Sequence, residues 1–363
     1  MDRCRRYIIT QSEFCGRFIM KRLVWRTPRA GAIRRLALCE ESLPSTDPGM
    51  VRIGVRSVGL NFADIFALTG LYSATPQGSF IPGLEFSGVV METVPGAHGF
   101  SPGDPVMGVT RFGGYASVLD VAPAYCMPLP AGWTFAQGAA FPAQTLTAWY
   151  ALKVLGDVKP GQAVLVQSAA GGVGLQALHL CLKSGVRPIG AVGSAAKREF
   201  LRQRGFPEVV VRGRNFKNDV RALLGGQNLN LVLDAVGGRY QKEGYELLAP
   251  TGRLVVFGAA EFTPGRNRPR YLKALVQYLR RPVYDPLNLI SSNRSVLGFN
   301  LIWLWDRLDM LLPLLEDLLA MKLEAPCVGK GFPFSEAHAA IDFLRSGQSV
   351  GKVVLTLPES TPS

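Results

Sequence analysis

Short runs of alternating apolar and polar residues mark the first third of the chain. Residues 51–56 alternate and predict a half-buried strand, and further β-type runs cover 88–91 and 115–121. An earlier strand is expected to start at Met20. Glycine and proline recur between these runs up to residue 132, so short strands that end in turns are expected. This part of the chain is predicted to form a compact, mostly β domain.

The pattern changes near Trp133. Helical character covers 135–155, and strands and helices then alternate. The predicted strands are 163–167, 187–192, 208–211, 229–235 and 253–258, and the predicted helices are 175–183, 195–204, 215–224 and 240–248. Such alternation is typical of a parallel sheet with helices on both faces.

The last part of the chain returns to mixed elements. A strand is predicted at 295–299 and an amphipathic packing helix at 306–321. Ser335 is expected to cap a helix that runs through residue 344, and a closing strand is expected at 352–357.

The composition narrows the function classes. With 48% hydrophobic residues in 363, the chain is too apolar to be intrinsically disordered. Its net charge of +13 alone would favour a nucleic acid, a membrane surface or an anionic ligand as partner. That charge is local, however: residues 1–35 carry +8, residues 262–284 carry +6, and the remainder is close to neutral. The pattern argues against a protein that binds nucleic acid with its whole surface.

Targeting signals are weak in this sequence. The basic residues 1–19 lack a continuous apolar core, so they are predicted to be an extension rather than a secretory signal, with a targeting presequence as the alternative. Six scattered cysteines fit neither a disulfide framework nor a zinc ribbon, and a cytoplasmic location is predicted. The uncharged stretches 121–152 and 161–182 contain prolines and glycines, and buried structure is expected there instead of a membrane span.

The strongest chemical signal follows the strand at 163–167. The sequence Ala-Ala-Gly-Gly-Val-Gly at residues 169–174 joins this strand to a helix, as a dinucleotide-binding turn does. Gly171 would let the backbone approach a pyrophosphate, and Gly174 would let the helix pack on the strand. The helix N-terminus favours the anion. A tight turn without a ligand is the structural alternative.

The next strand indicates which dinucleotide is bound. An NAD site needs an acidic residue about twenty residues beyond the glycines. Here the chain has Ser194, Lys197 and Arg198 and no acid, which favours the 2′-phosphate of NADP. Alternatively, Ser194 only caps the following helix while the two cations are solvated.

With these residues in view, the chain resembles the zinc-independent quinone oxidoreductases of the medium-chain dehydrogenase/reductase superfamily. The matching segments are 59–64, 70–72, 82–88, 103–104, 113–116, 146–148 and 169–174. Segments 234–238, 248–252, 298–301 and 350–354 are also similar to the vesicle amine transport protein homologue branch, which is associated with membranes as well as with reduction.

The resemblance implies an α/β fold in which a GroES-like β domain, made from both chain ends, encloses a Rossmann doubly wound parallel sheet. On this basis we expect an extension at 1–19, the GroES-like part at 20–143, the NADP-binding Rossmann domain at 144–294 and a C-terminal return to the catalytic domain at 295–363. A homodimer is implied as well.

The resemblance also assigns residues. Alcohol dehydrogenases of this superfamily hold a catalytic zinc with cysteine and histidine, and the corresponding places here are Asn61, Leu84 and residues 143–147. No metal is therefore expected. Asn61, Tyr72 and Thr147 should lie beside the nicotinamide, with Tyr72 donating to the acceptor oxygen and Asn61 as a second polar contact. Structural alternatives remain for both: Tyr72 as a packing ring and Asn61 as a capping amide.

The cofactor would contact a larger set. These residues are Ala170, Gly171, Gly172, Val173, Gly174, Ser194, Lys197, Arg212, Gly237, Phe257, Gly258, Asn300 and Lys352. For Asn300 and Lys352 a merely structural role is the alternative. The implied function is NADPH-dependent hydride transfer to a quinone or an α,β-unsaturated carbonyl. The alternative is an NADPH-binding protein with little turnover whose basic segments contact membranes. No nucleic-acid partner is expected.

Overall fold

The computed structural model describes residues 20–94, 99–263, 267 and 271–358, without the side chains of Tyr271 and Lys273. The predicted extension 1–19 lies outside the described residues. So do three of the six basic residues of segment 262–284, namely Arg266, Arg268 and Arg270.

The N-terminal part is mostly β, as the alternating pattern predicted. Its elements are β1 (Met20–Arg26), β2 (Ala37–Leu43), β3 (Val51–Gly59), α1 (Phe62–Thr69), β4 (Glu85–Thr93), β5 (Pro105–Val109), β6 (Val118–Val121), β7 (Cys126–Pro128) and α2 (Phe135–Gly138). Strand β1 is described from Met20 onward and pairs antiparallel with β2. Acidic residues on β2 offset part of the N-terminal positive charge, since Lys21 pairs with Glu40 and both Arg22 and Arg26 pair with Glu41.

The middle of the chain alternates strands and helices. Its elements are α3 (Pro142–Trp149), β8 (Ala163–Gln167), α4 (Gly172–Lys183), β9 (Arg187–Val192), α5 (Ala195–Arg202), β10 (Val209–Val211), α6 (Phe216–Leu224), β11 (Leu229–Asp234), α7 (Gly238–Leu247), β12 (Leu248–Val256), α8 (Tyr271–Leu279), α9 (Pro286–Ser292) and β13 (Ser295–Gly298). All six strands are parallel, in the order β10-β9-β8-β11-β12-β13. This is the Rossmann order 3-2-1-4-5-6. The predicted α/β class is confirmed.

The chain end returns to the first domain. Its elements are α10 (Leu308–Ala320), β14 (Val328–Pro333), α11 (Ala337–Arg345) and β15 (Lys352–Thr356). Strand β15 pairs antiparallel with β3, so the seven-stranded sheet contains strands from both ends of the chain. The GroES-like arrangement implied by the resemblance is therefore confirmed.

Two expectations for this region are wrong. Strand β13 pairs with β12 as an edge strand of the Rossmann sheet, so that domain does not end at residue 294. Its core also takes Leu311, Leu314 and Leu318 of α10. Ser335 does not cap α11: it lies inside a one-turn 3₁₀ helix, and Glu336 occupies the N-cap position without a side-chain hydrogen bond.

Candidate active site

The predicted phosphate loop connects β8 to α4. Strand β8 is fully buried, and Ser168 turns the chain in the left-handed region at φ 52°. A Cβ atom on Gly174 would lie 2.4 Å from the carbonyl oxygen of Ser168 and 2.6 Å from the Cα atom of Ala169. A Cβ atom on Gly171 would meet only the Ser168 oxygen, at 3.2 Å. Gly174 is therefore required by helix packing, whereas Gly171 has space on that side and lines the cleft.

Two other contacts hold this loop in place. A Cβ atom on Gly172 would lie 1.9 Å from the Oε1 atom of Gln144, so this buried side chain from α3 packs directly on the loop. On the other side, the amide of Gly351 donates to the carbonyl oxygen of Ala170 at 2.8 Å. Both neighbours therefore support the loop through its backbone.

Two cations lie at the end of the second Rossmann strand. The Arg212 amide donates to the carbonyl oxygen of Val192, and the Nη2 atom of Arg212 lies 3.3 Å from the position that a Cβ atom on Gly193 would take. Its Nη1 atom is buried and has no hydrogen-bond partner among the described residues. Burial lowers the pKa of Lys197, and the charge of Arg212 lowers it further.

These cations fit a bound phosphate. Burial also lowers the pKa of Arg212, although the charges of Tyr240 and Asp234 act in the opposite direction. The Ser194 hydroxyl caps α5 by accepting from the Lys197 amide at 3.3 Å, so the capping alternative is present at the same place. The Lys197 ammonium donates to the carbonyl oxygen of Gly347.

A single cleft joins the phosphate loop to the β domain. Its volume is about 780 Å³. Among the residues assigned from the sequence, those that line it are Asn61, Tyr72, Thr147, Gly171, Gly172, Val173, Gly174, Phe257, Gly258, Asn300 and Lys352. The rest are not among its lining residues. These are Ala170, Ser194, Lys197, Arg212 and Gly237. A dinucleotide that reached Arg212 would therefore extend beyond the cleft along the end of β9.

Polar side chains meet across the cleft. The phenol of Tyr72 donates to the Oδ1 atom of Asn300 at 2.9 Å. Burial raises the pKa of Tyr72 to about 12, so its hydroxyl stays protonated at neutral pH. The Thr147 hydroxyl donates to the carbonyl oxygen of Ala143 at 2.6 Å, within its own helix. The O–H group of Tyr72 is therefore held at the cleft wall by Asn300, whereas that of Thr147 is used within its helix.

The remaining cleft wall is apolar. Tyr125 and Trp305 stack with ring centroids 4.2 Å apart, and both line the cleft. Leucines of α10 and aromatic and aliphatic residues of the first domain complete this wall: Leu308, Leu311, Leu312, Leu315, Phe62, Phe66 and Leu71. Such a surface suits a largely apolar acceptor.

A buried ion pair lies under the predicted catalytic amide. The Lys352 ammonium contacts the Oε1 atom of Glu85, and both side chains are almost fully buried. Lys352 also donates to the Oδ1 atom of Asn61 at 2.9 Å, and the Nδ2 atom of Asn61 donates to Glu85 at 2.9 Å. The lysine expected to contact the cofactor is thus committed to Glu85 and Asn61. Glu85 and Gln144 are two polar residues of the site that the sequence motifs did not single out.

Two known protein families match parts of this chain. Residues 47–148 match the family described as alcohol dehydrogenase GroES-like domain, and residues 172–316 match the family described as zinc-binding dehydrogenase. The chain is 32% identical over 317 residues to the synaptic vesicle membrane protein VAT-1 homolog of Danio rerio, a match that covers 86% of this chain and 65% of the zebrafish protein. The Rattus norvegicus counterpart is 31% identical, with 86% and 78% covered.

Solved structures agree with this comparison. The quinone oxidoreductase from Thermus thermophilus, whose structure was also determined in complex with NADPH, superposes with a TM-score of 0.75 at 32% identity. That match covers 92% of this chain and all of the other. The CurK enoyl reductase superposes with a TM-score of 0.80 at 25% identity, covering 93% and 99%. The chain belongs to the medium-chain dehydrogenase/reductase superfamily of oxidoreductases, in its VAT-1-like branch.

Proposed function

We propose that the chain is an NADPH-dependent oxidoreductase that reduces a quinone or an α,β-unsaturated carbonyl by hydride transfer, without zinc. The observation that carries the proposal is that one cleft is lined both by the phosphate-loop glycines and by Tyr72 and Asn300. A dinucleotide on the loop and an acceptor beside Tyr72 would share one apolar space. The similarity to a quinone oxidoreductase and an enoyl reductase supports the same reaction class.

NADP(H) is the preferred dinucleotide because of the cations beyond the loop. Arg212 has a buried Nη1 atom without a partner, and Lys197 lies close enough for their charges to repel. A 2′-phosphate would supply the missing acceptor and the missing negative charge. Gly171–Gly174 would hold the pyrophosphate at the start of α4. NADPH supplies the hydride when bound.

The chain's own groups would orient and stabilise the acceptor. The Tyr72 hydroxyl can turn from Asn300 to donate to the acceptor oxygen, where negative charge develops. The apolar wall around Tyr125 and Trp305 would exclude water and strengthen that hydrogen bond. Conjugation in the acceptor spreads the developing charge, so a strong Lewis acid is not needed.

Zinc independence is proposed from the donor set. The places that correspond to zinc ligands are Asn61, the position before Glu85, and the start of α3. Within the described parts of the chain no group of three or more His, Cys, Asp or Glu side chains could hold a metal ion. The Lys352 ammonium is already held between Asn61 and Glu85, and it would repel a divalent cation there. The residues present do not fit the metal that the matched family's description implies.

The test is an acceptor panel. NADPH oxidation is followed by absorbance with ortho-quinones, para-quinones and 2-alkenals, each compared with NADH. We expect turnover with at least one conjugated acceptor and a preference for NADPH. Absence of turnover across the panel, with NADPH binding intact, would overturn the proposal.

One surface favours a second candidate, an NADPH-binding protein that docks on anionic membranes. The helices α8 and α9 and the loop between them expose large apolar side chains beside Arg280 and Arg281, and this set is named the α8–α9 face. Its apolar members are Leu272, Leu275, Val276, Tyr278, Leu279, Val283, Leu287 and Ile290, of which Val283 is 78% exposed. Apolar groups next to arginines suit the interface of an anionic bilayer. In the parts of the chain that are described, no helix has the length and hydropathy to cross a membrane.

Vesicle sedimentation tests this candidate. Vesicles with phosphatidylserine should retain the protein at low salt and release it at high salt, and vesicles of phosphatidylcholine alone should not retain it. Leu279→Glu should abolish retention on the vesicles. The control Leu182→Glu changes an exposed leucine on α4, away from the α8–α9 face, and should not affect retention.

The family resemblance leads us to expect a cytoplasmic homodimer. Should Leu279→Glu separate a dimer in light scattering without affecting retention, a second copy covers this face and the candidate fails.

A further inference from the structure

The Lys352–Glu85 pair is removed from water almost completely. The Lys352 side chain is 2% exposed and that of Glu85 is fully buried. Charges in such a place are retained at a cost in desolvation, and they need additional hydrogen bonds to be tolerated. Here those bonds come from Asn61 on both sides and from the amide of Ala143, which donates to the Oε2 atom of Glu85 at 3.1 Å.

The pair fixes the orientation of the Asn61 amide. An ammonium can only donate, so the oxygen of Asn61 must face Lys352. A carboxylate can only accept, so the nitrogen must face Glu85. The second hydrogen of Nδ2 points to the carbonyl oxygen of Gly59 at 3.3 Å. Both N–H groups are therefore used inside the chain, so the Asn61 side chain has no N–H left to donate to a ligand.

The surroundings leave this cluster little freedom. A Cβ atom on Gly59 would lie 2.1 Å from the carbonyl oxygen of Ala139, 2.7 Å from the Cε atom of Lys352 and 2.8 Å from the Cγ atom of Glu85. The cluster thus packs onto bare backbone at the end of β3. It connects β3, β4, the first turn of α3 and β15, which belong to both domains.

Lys352 also lies next to the phosphate loop along the chain. The preceding residue, Gly351, donates its amide to Ala170, and Gly351 and Gly171 form an isolated parallel bridge. One short segment therefore contacts the loop through its backbone and Asn61 through the lysine side chain. Two adjacent residues, Gly351 and Lys352, therefore link the position of the phosphate loop to that of the Asn61 amide.

We propose that Lys352, together with Glu85, is a positioning residue that locks the Asn61 amide as an acceptor toward the cleft and ties it to the phosphate loop. The proposal rests on the proposed function for its kinetic consequence. It specifies the second polar contact expected of Asn61, which would accept an N–H or O–H of a bound molecule. The oxyanion contact is then left to Tyr72.

The decisive variant removes both charges together. Lys352→Met and Glu85→Gln each leave one buried charge without its partner and should lower the Tm strongly, whereas the double variant should recover most of it. In the double variant the amide can turn. We expect kcat to fall tenfold or more while the Kd for NADPH changes less than twofold. Lys217→Met/Glu246→Gln removes a half-exposed pair elsewhere and should leave kcat unchanged.

A second measurement does not depend on turnover. In the unliganded wild type, the side-chain amide protons of Asn61 should exchange at least tenfold more slowly than those of the exposed Asn215 in an NMR exchange experiment. The double variant should lose this protection. Wild-type kcat in the double variant, or unprotected Asn61 protons in the wild type, would overturn the positioning role. If no acceptor is reduced by the wild type, the proposed function fails while the exchange measurement still decides this inference.

Discussion

The hydroxyl of Tyr72 donates to the Oδ1 atom of Asn300 at 2.9 Å, although the two residues are 228 positions apart. Tyr72 follows α1 in the β domain, and Asn300 follows the edge strand β13 of the Rossmann sheet. The bond therefore spans the cleft between the two domains. It holds the O–H group of Tyr72 at the cleft wall, where we propose that an acceptor takes over the hydrogen bond.

Tyr72→Phe removes that donor and leaves the ring in place. We expect kcat with a quinone or enone to fall by about 10- to 100-fold, because a preorganised donor to a developing oxyanion contributes on this scale. The Kd for NADPH, measured by fluorescence titration, should stay within twofold. Tyr245→Phe, on the outer side of the Rossmann sheet, serves as control and should have wild-type kinetics. An unchanged kcat in Tyr72→Phe would remove this residue from the mechanism.

Arg212 should discriminate between the two dinucleotides. Its guanidinium has an unpartnered buried Nη1 atom at the end of β9. Replacing it by alanine should weaken NADPH binding by about 10- to 100-fold, as expected for loss of a charge-assisted hydrogen bond to phosphate. NADH binding should change little, so the preference ratio should collapse in a competition titration.

The control for this prediction is the exposed arginine two residues further on. Arg214→Ala removes the same charge from the same loop but not the buried donor. It should retain the NADPH preference. An equal loss of NADPH affinity in both variants would indicate a general charge effect and would contradict a specific 2′-phosphate contact.

Asp64 predicts a particular pH dependence of stability. Burial raises the pKa of its carboxyl from 3.8 to about 6, although Lys352 and hydrogen bonds from Asn61, Gly83 and Tyr115 act in the opposite direction. The folded state therefore prefers the protonated form. The resulting stabilisation is complete below about pH 3.8 and is lost as the pH rises through about 6.

Asp64→Asn removes this titration. The free energy of unfolding of the wild type should fall relative to that of the variant by about 2 kcal/mol between pH 4 and pH 7, since one pKa unit corresponds to about 1.4 kcal/mol and part of the effect is already lost at pH 4. Urea unfolding at several pH values measures the difference. Asp47→Asn, at an exposed position, should run parallel to the wild type. A difference that grows in the opposite direction would show that the charged form is the one the fold prefers.

Strands of the Rossmann sheet were the most predictable part of the fold. The ranges 163–167 and 187–192 agree with β8 and β9 to the residue, because a buried parallel strand is a short apolar run between turn residues. The partner of a strand is harder to predict. Residues 295–298 are a strand both in the sequence prediction and in the structure. No local pattern, however, indicates that this strand, β13, joins β12 in the Rossmann sheet.

The candidate site also has a part that could be predicted from the sequence and a part that could not. The phosphate loop is continuous in sequence, so its glycines can be recognised from spacing alone. Lys352 and Glu85 are 267 positions apart, and each lies in a strand whose pattern gives no sign of a buried charge. Their pairing depends on two strands from opposite chain ends meeting at one helix. The orientation of Asn61 follows from that pairing and could not be predicted before it.

The two glycines of the phosphate loop should separate packing from ligand binding. Gly174→Ala places a Cβ atom 2.4 Å from the Ser168 oxygen, and the adjoining Ala169 backbone leaves it no room. The helix must shift, so the free energy of unfolding should fall by about 1 to 3 kcal/mol. NADPH binding should weaken as well, because the loop that α4 begins is displaced.

Gly171→Ala should behave differently. Its Cβ atom would meet one oxygen at 3.2 Å, a contact that small shifts can relieve, and its φ of −80° suits any residue. We expect the free energy of unfolding to change by less than about 1 kcal/mol in chemical denaturation. The Kd for NADPH should nevertheless rise at least tenfold, because the added methyl group lies where the backbone must approach the pyrophosphate. Equal affinity for NADPH in Gly171→Ala and the wild type would mean that this side of the loop does not face the cofactor.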